Sequence, residues 1–182
     1  MKPLLLLVVT ALPCLGLQAQ CKKAGISACM LEAKAEPGSL VLPSEQWVRL
    51  WMDEIVARDL YTELDGMTRR PIFNNIGKAE VHHREMIEAL LTSAGIEIPD
   101  APEAGNYPVN DLQAFYTEKL TSGKESELAA FKSGEAFELQ DIAELEAALQ
   151  TEGLSDAEKN LLTALVAASK RHLAAFQHKL GK

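Results

Sequence analysis

The sequence has few of the residues on which several classes of protein depend. Its 182 residues include only 3 cysteines and no Cys-x-x-Cys pair, so neither a zinc ribbon nor a rubredoxin-type iron site is encoded. Aromatic residues make up only 5%, which disfavours β-sheets. Lys plus Arg number 18 against 26 Asp plus Glu, a formal net charge of −8. This balance argues against nucleic acid or an anionic membrane as a partner, because phosphate binding depends on clustered cations.

The residues that are plentiful indicate a helical globular protein. Hydrophobic residues make up 47% of the chain and charged residues 24%, an ordinary globular balance. Ala, Leu and Glu dominate the second half, and all three favour helices. The length suits one domain and is short for two.

The first residues resemble an export signal. Lys2 precedes an apolar run over residues 4–12, which is too short to span a bilayer. We expect residues 1–19 to be a signal peptide cleaved after Ala19, leaving a periplasmic or secreted protein without stable membrane insertion. One alternative is a lipid anchor on Cys21, although Gln20 is not the small residue expected before it. An uncleaved N-terminal helix is the other.

Residues 20–43 are predicted to be a flexible segment, because glycines and prolines interrupt any periodic pattern there. Cleavage after Ala19 would leave two cysteines, Cys21 and Cys29. In an oxidising compartment this pair can form a small disulfide loop. Residues 44–182 form the predicted domain.

Four long segments of the domain carry apolar residues at helical spacing. We predict helices over about 44–65, 71–94, 125–150 and from Ser155 to about 180, with Ser44 as the first N-cap and Pro71 in the first turn of the second helix. Ser155 and Glu158 form a capping box. The connection over about 96–124 contains a short amphipathic helix. The links within the first and last pairs are short, so each pair is an antiparallel hairpin. Two hairpins joined by one long crossover give the connectivity of a ferritin-like four-helix bundle.

Each predicted apolar stripe is interrupted near its middle by a side chain that can bind metal. The interruptions are Glu54, Glu80 with His83, Glu138, and His172. A buried carboxylate is costly unless it is paired, protonated or bound to a metal. In Glu80-x-x-His83 both residues lie on one helix face, so carboxylate and imidazole can hold one ion from the same side.

These positions carry a resemblance to known proteins. The run from Glu54 to Tyr61 resembles the ExxARxxY motif of rubrerythrin-like and ferritin-like proteins, and Glu80-x-x-His83 resembles the ExxH motif of the second helix in that superfamily. The combined pattern over about 44–177 resembles a family of small bacterial ferritin-like domains of uncharacterised function. Further elements of that pattern are Pro71-Ile72-Phe73, Asn75-Ile76, Glu138-x-x-Asp141-Ile142 and His172-Leu173-x-x-Phe176.

The resemblance implies a di-iron carboxylate site. Carried over by position, Glu54 and Glu138 are the single carboxylates, Glu80 bridges two ions, and His83 and His172 give one imidazole to each. The family pattern has a Glu where this chain has Ser169, so one bridging carboxylate is missing, and Asp141 is the candidate for the lost oxygen ligand.

The number and identity of the ions stay open. The site suits two irons held asymmetrically, a mixed pair or a single ion. Iron or manganese fits two imidazoles with several carboxylates, and zinc or copper also accepts such ligands. Tyr61 is either a hydrogen-bond partner of a ligand or a core tyrosine.

Three functions follow from this reading. The first is a ferroxidase- or peroxidase-type oxidoreductase that uses O₂ or peroxide; as a peroxidase it needs an external electron donor, since no rubredoxin module is encoded. The second is a non-catalytic, metal-sequestering envelope protein, and the third is a structural bundle without metal. The oligomeric state is open, with a homodimer among the alternatives.

Overall fold

The computed structural model describes residues 38–182. The expected signal peptide, both Cys21 and Cys29, and residues 20–37 of the expected flexible segment lie outside the described residues. Within the described range all regular structure is helical, which confirms the all-α prediction. The elements are α1 (Ser44–Leu64), a 3₁₀ turn (Asp65–Met67), α2 (Ile72–Ser93), α3 (Asn110–Gly123), α4 (Glu127–Leu149) and α5 (Asp156–Lys179).

The first two long helices begin at prolines. The carbonyl of Pro43 accepts from the backbone N–H of Trp47 at 3.1 Å, and the carbonyl of Pro71 accepts from that of Asn75 at 3.0 Å. Pro43 is therefore the N-cap of α1, and Ser44 is already its first helical residue, so the predicted N-cap was wrong by one position. Pro71 likewise precedes α2 instead of lying in its first turn.

Serines cap the other two long helices. The hydroxyl of Ser126 accepts from the backbone N–H of Ala129 at 3.1 Å, which starts α4 two residues later than predicted. Ser155 and Glu158 form the complete reciprocal capping box of α5, so that prediction is confirmed. Each such cap satisfies backbone donors that the first turn of a helix leaves unpaired.

The four long helices form a closed ring. The largest packing contacts join α1 to α2 and α4 to α5, and smaller ones join α2 to α5 and α1 to α4. Helix α3 lies against α1 and α4. Adjacent helices run antiparallel in three of these pairs, because residue numbers rise along one helix as they fall along its neighbour. The contacts that set the directions are Trp51–Glu88 and Glu54–His83 for α1 and α2, Arg49–Glu144 and Tyr61–Glu138 for α1 and α4, and Gly134–Phe176 and Glu138–His172 for α4 and α5.

Large apolar side chains fill the centre of the ring. Trp47, Trp51, Tyr61, Phe73 and Phe176 are all fully buried there. Of the described helices, none combines the length with the apolar character that crossing a bilayer requires. The buried apolar side chains of the four long helices belong to one hydrophobic core.

Residues 38–43 are attached to the bundle. The N–H of Gly38 donates to the carbonyl of Ala94 at 3.2 Å. The N–H groups of Val41 and Leu42 both donate to Glu158 Oε1 at 2.9 Å. Leu42 is buried in the core, so residues 38–43 pack against the helical bundle.

Candidate metal centre

All four long helices contribute a polar side chain to one buried cluster. Glu54 comes from α1, Glu80 and His83 from α2, Glu138 from α4 and His172 from α5. The three glutamates are at most 4% exposed, and the side chain of His172 is 12% exposed. The residues that interrupt the predicted apolar stripes thus meet inside the bundle.

Glu80 lies between the two imidazoles. Its Oε2 is 2.7 Å from Nδ1 of His83, and its Oε1 is 3.0 Å from Nδ1 of His172. The imidazole rings are stacked with their centroids 5.5 Å apart. Each oxygen of one carboxylate therefore faces a different imidazole, an arrangement suited to bridging two positions.

Two groups of three potential ligands share Glu80. One is Glu54, Glu80 and His83, and the other is Glu80, Glu138 and His172; within each group the ligand atoms lie within 4.8 Å of one another. Oε2 of Glu54 is 3.4 Å from Nδ1 of His83. Oε1 of Glu138 is 3.7 Å from Nδ1 of His172. The buried Glu/His cluster can therefore hold a metal ion.

The orientation of the imidazoles tests this fit. Nδ1 of His83 and Nδ1 of His172 are both buried without a well-directed hydrogen bond, although carboxylate oxygens lie 2.7 and 3.0 Å away. The close pairs therefore lack hydrogen-bond alignment. Buried polar atoms normally have partners, and a cation between nitrogen and oxygens would satisfy both kinds of ligand.

The cluster is electrostatically strained without a cation. Burial raises the pKa of Glu54 and that of Glu138 well above the ordinary range. Burial would also raise the pKa of Glu80, but the close approach of the His172 and His83 imidazoles outweighs it and lowers that pKa to about 2. Burial would lower the pKa of His83, but Glu54 and Glu80 raise it to about 11. Without a cation, protons bound to Glu54, Glu138 and His83 would therefore offset the negative charge of the buried carboxylates.

Tyr61 contacts one side of the cluster. Its hydroxyl donates to Oε1 of Glu138 at 2.5 Å. Burial and the nearby Glu138 carboxylate raise the pKa of Tyr61 well above its usual value, so the phenol keeps its proton. The rings of Phe73, Phe137 and Phe176 lie 5.6–5.9 Å from the Tyr61 ring, centroid to centroid. Tyr61 is thus both a core residue and a hydrogen-bond donor to a candidate ligand.

Asp141 and Ser169 lie beside the cluster. Neither belongs to the two groups of three, and both are buried. Ser169 donates to the carbonyl of Leu165 at 3.0 Å, as a helical serine commonly does. Burial raises the pKa of Asp141 to about 7, and the nearby Ser169 hydroxyl partly opposes this rise. The role of Asp141 as a replacement ligand stays a prediction.

Sequence reasoning missed the charged residues that adjoin Asp141. Asp53 is 3% exposed, and Arg49 binds it with an Nε–Oδ2 distance of 3.2 Å. Arg49 also contacts Glu144 of α4. The four-residue spacing of Arg49 and Asp53 is a visible signal for an ion pair on one helix. Nothing in the local sequence shows that the pair is buried against α4.

Fold and site together define an all-helical bundle protein with a buried Glu/His cluster that can hold a metal ion. The chain belongs to a family described as an uncharacterized protein domain, DUF2202, whose model matches residues 44–182.

A relative from an archaeon has similar sequence and structure. The uncharacterized protein MJ0754 of Methanocaldococcus jannaschii is 28% identical over 137 residues, which cover 75% of this chain and 74% of that protein. The crystal structure of hypothetical protein MJ0754 from Methanococcus jannaschii superposes with a TM-score of 0.70 at 28% identity, covering 75% of this chain and 78% of the crystallised one. The similarity therefore spans most of the described bundle.

Proposed function

We propose that this protein is a ferritin-like metal protein whose Glu/His cluster holds two iron ions and supports iron oxidation or O₂- or peroxide-dependent redox chemistry. The observation that carries the proposal is the position of Glu80, whose two carboxylate oxygens each face one imidazole. A carboxylate with one ligand set on either side is the arrangement that a two-ion site requires.

The helix arrangement supports the ferritin-like assignment. Helices α1 and α2 form one hairpin and α4 and α5 form another, and residues 94–126 join them through α3. This long connection allows α4 to run antiparallel to α1. In the ferritin-like class a single long crossover likewise joins two hairpins, and inward-facing Glu and Glu-x-x-His residues bind the metals.

Charge balance supports a pair of divalent cations. Glu54, Glu80, Glu138 and Asp141 carry four negative charges when all are ionised. Two divalent cations would offset them with both imidazoles neutral, whereas an uncompensated group of buried charges is strongly unfavourable. Carboxylates and imidazoles together suit iron or manganese.

The residues around the cluster have distinct roles in this function. The Glu/His cluster would hold two ferrous ions, and these would supply one electron each for the reduction of O₂ or peroxide. Glu80 sets the spacing of the two positions, and His83 and His172 face one position each. The Tyr61 hydroxyl oxygen lies 2.5 Å from Oε1 of Glu138 and donates its proton to it, which fixes the orientation of that carboxylate. The rings of Phe73 and Phe176 pack against Tyr61 and exclude water from this side.

Metal content measured on single variants tests the proposal. We expect about two iron ions per chain after anaerobic loading with ferrous iron, about one in His83→Ala and in His172→Ala, and none retained in Glu80→Ala. His82→Ala is the matched control, because its side chain is 45% exposed and lies outside both groups. Elemental analysis after desalting measures the ratios. Wild-type iron content in Glu80→Ala would overturn the proposed site.

Exposure of the loaded protein to O₂ separates redox function from sequestration. Oxidation of iron coupled to O₂ uptake, lost in Glu80→Ala, is the expected result. Stoichiometric iron binding with no O₂ uptake would instead establish the sequestering function. A wild-type protein that binds no metal would leave only the structural role.

We also propose export to the periplasm or the cell exterior, on the basis of Lys2 and the apolar residues 4–12. Expression of the full chain tests this proposal. Recovery of a mature form beginning at Gln20 in the periplasm or medium is expected, and full-length protein confined to the cytoplasm would contradict it.

A further inference from the structure

Three carboxylates of α1 and α4 adjoin the Glu/His cluster, and they belong to Asp53, Asp141 and Glu144. Asp141 lies close enough to Glu80, His83 and Glu144 to interact with each of them electrostatically. Asp53 interacts directly with Glu144 and lies near Asp141. Asp141 is therefore within reach of both the Glu/His cluster and the Asp53–Glu144 pair.

A narrow cleft lies beside these carboxylates. It is lined by Asp53, Phe137, Gln140, Asp141 and Glu144. No part of it is wide enough for a water molecule. A hydrated cation therefore cannot pass until side chains move.

Arg49 closes the outer end of the cleft. Its guanidinium contacts Asp53 Oδ2 at 3.2 Å and Glu144 Oε1 at 3.2 Å, both of which belong to the cleft lining. Its third contact is with Oδ2 of Asp111 on α3, at 2.7 Å. The Asp111 side chain is 68% exposed, so Arg49 connects the carboxylates that line the cleft with an exposed carboxylate at the surface.

We propose that Arg49 is the gate of a cation access route that leads between α1 and α4, past Asp53, Glu144 and Asp141, to the Glu/His cluster. This inference rests on the proposed metal-binding function. The guanidinium occupies the place where an arriving cation would first meet buried carboxylates. When it moves away from all three carboxylates into solvent, Asp53 and Glu144 lose their partner and attract a divalent cation in its place.

The rate of cation uptake tests the gate without depending on turnover. Stopped-flow absorbance of Co²⁺ bands follows the loading of metal-free, full-length protein, and equilibrium Co²⁺ content is measured separately. We expect Arg49→Gln to load about tenfold faster, because removing the competing cation increases the negative potential at the route's mouth. Its equilibrium content should equal that of the wild type.

Arg58→Gln is the matched control. Arg58 is also on α1, its side chain is 26% exposed against 24% for Arg49, and it likewise pairs with a buried aspartate, Asp59. Its partner Asp59 is not one of the residues that line the cleft, whereas Asp53, the partner of Arg49, is. Replacement of Arg58 should therefore leave the loading rate unchanged.

Asp111→Asn provides a second test if Arg49→Gln does not fold. It removes one exposed partner of Arg49 and leaves the cleft lining intact. At about 1 M salt, where long-range steering is screened, we expect loading to be about two- to fivefold faster, the range that one exposed ion pair accounts for.

The outcomes separate the two proposals. If Arg49→Gln and Asp111→Asn load Co²⁺ at the wild-type rate and reach the wild-type Co²⁺ content, the proposed gate is wrong and the proposed metal site is unaffected. A wild-type protein that binds no Co²⁺ at equilibrium would overturn the proposed function and the gate with it.

Discussion

At the scale of single residues, the Glu158 carboxylate connects two parts of the chain that are far apart in sequence. Oε2 accepts from the N–H and the hydroxyl of Ser155, and Oε1 accepts from the N–H groups of Val41 and Leu42. Glu158 is fully buried. One side chain thus caps α5 and holds residues 41–42 against the bundle.

Replacement of Glu158 by glutamine should lower the free energy of unfolding by about 2–4 kcal/mol at pH 7, since hydrogen bonds to a charged acceptor are lost or weakened. Burial opposes the charged form, but hydrogen bonds from Leu42 and Ser155 lower the pKa of Glu158 in the folded protein. Its stabilising effect is therefore complete above its unfolded pKa of about 4.3 and disappears as the pH falls through the folded pKa.

Urea unfolding of both proteins between pH 7 and pH 3, with chelator present, measures this difference. We expect the gap between wild type and Glu158→Gln to shrink below pH 4. The exposed Glu152, in the turn that precedes α5, is the control position, and Glu152→Gln should unfold like the wild type. Equal stability of Glu158→Gln and wild type at pH 7 would show that the contacts contribute no net energy.

At the scale of the helix, two glycines inside α2 and α4 have opposite environments. A Cβ built on Gly134 would lie 2.6 Å from Cζ of Phe176, which is closer than real side chains approach. A Cβ on Gly77 would meet Cβ of Tyr61 at 3.6 Å, an ordinary contact. Gly134 therefore permits the close packing of α4 on α5, whereas Gly77 has room for a methyl group.

Gly134→Ala should destabilise the protein by about 1–3 kcal/mol, because overpacking displaces Phe176 even though alanine favours the helix. Gly77→Ala should stabilise it by about 0.5–1 kcal/mol through helix propensity alone. Thermal or urea unfolding of the two variants measures both effects. A stabilising Gly134→Ala would mean that α5 shifts freely to make room.

The helices and the cluster were predictable because their signals are local or periodic. Ser155 and Glu158 lie three residues apart, and Glu80 and His83 share one turn, so spacing alone predicts their relation. Glu54, Glu138 and His172 were identified because each is a costly exception on an apolar stripe.

Features that depend on distant pairs were not predictable. Glu158 and Val41 are 117 residues apart, and the sequence does not show that they meet. From the sequence, Gly134 indicates only a loss of helix propensity, because the ring of Phe176 becomes its neighbour only after α5 packs on α4. The contacts of Arg49 with Asp111 and Glu144 span 62 and 95 residues, so its place at the cleft could not be inferred.

At the scale of the whole molecule, the buried cluster couples metal binding to stability. A cation that binds the folded state and not the unfolded chain stabilises the fold by mass action. At a free metal concentration about 100-fold above the dissociation constant this stabilisation is about 2.7 kcal/mol. All four long helices contribute a side chain to the cluster, so an ion bound there would link both hairpins, and its removal would weaken that link.

We expect chelation to lower the Tm of the metal-loaded protein by about 5–10 °C. This follows because a loss of about 2.7 kcal/mol of stability lowers the Tm of a domain of this size by about 2–4 °C per kcal/mol. Differential scanning calorimetry with and without chelator measures the shift. The same comparison on Glu80→Ala should show no shift. If chelator does not change the Tm of the metal-loaded wild-type protein, no cation is bound inside the bundle core.

The hydrogen bond from Tyr61 to Glu138 makes the two halves of the cluster chemically unequal. On the α5 side, the phenol of Tyr61 withdraws electron density from the Glu138 carboxylate. On the α1 side, the acidic neighbours of Glu54 are Glu80 of α2 and Asp141 of α4. If two ions bind in succession, we therefore expect the Glu54 half to fill first, and the two positions to differ in affinity.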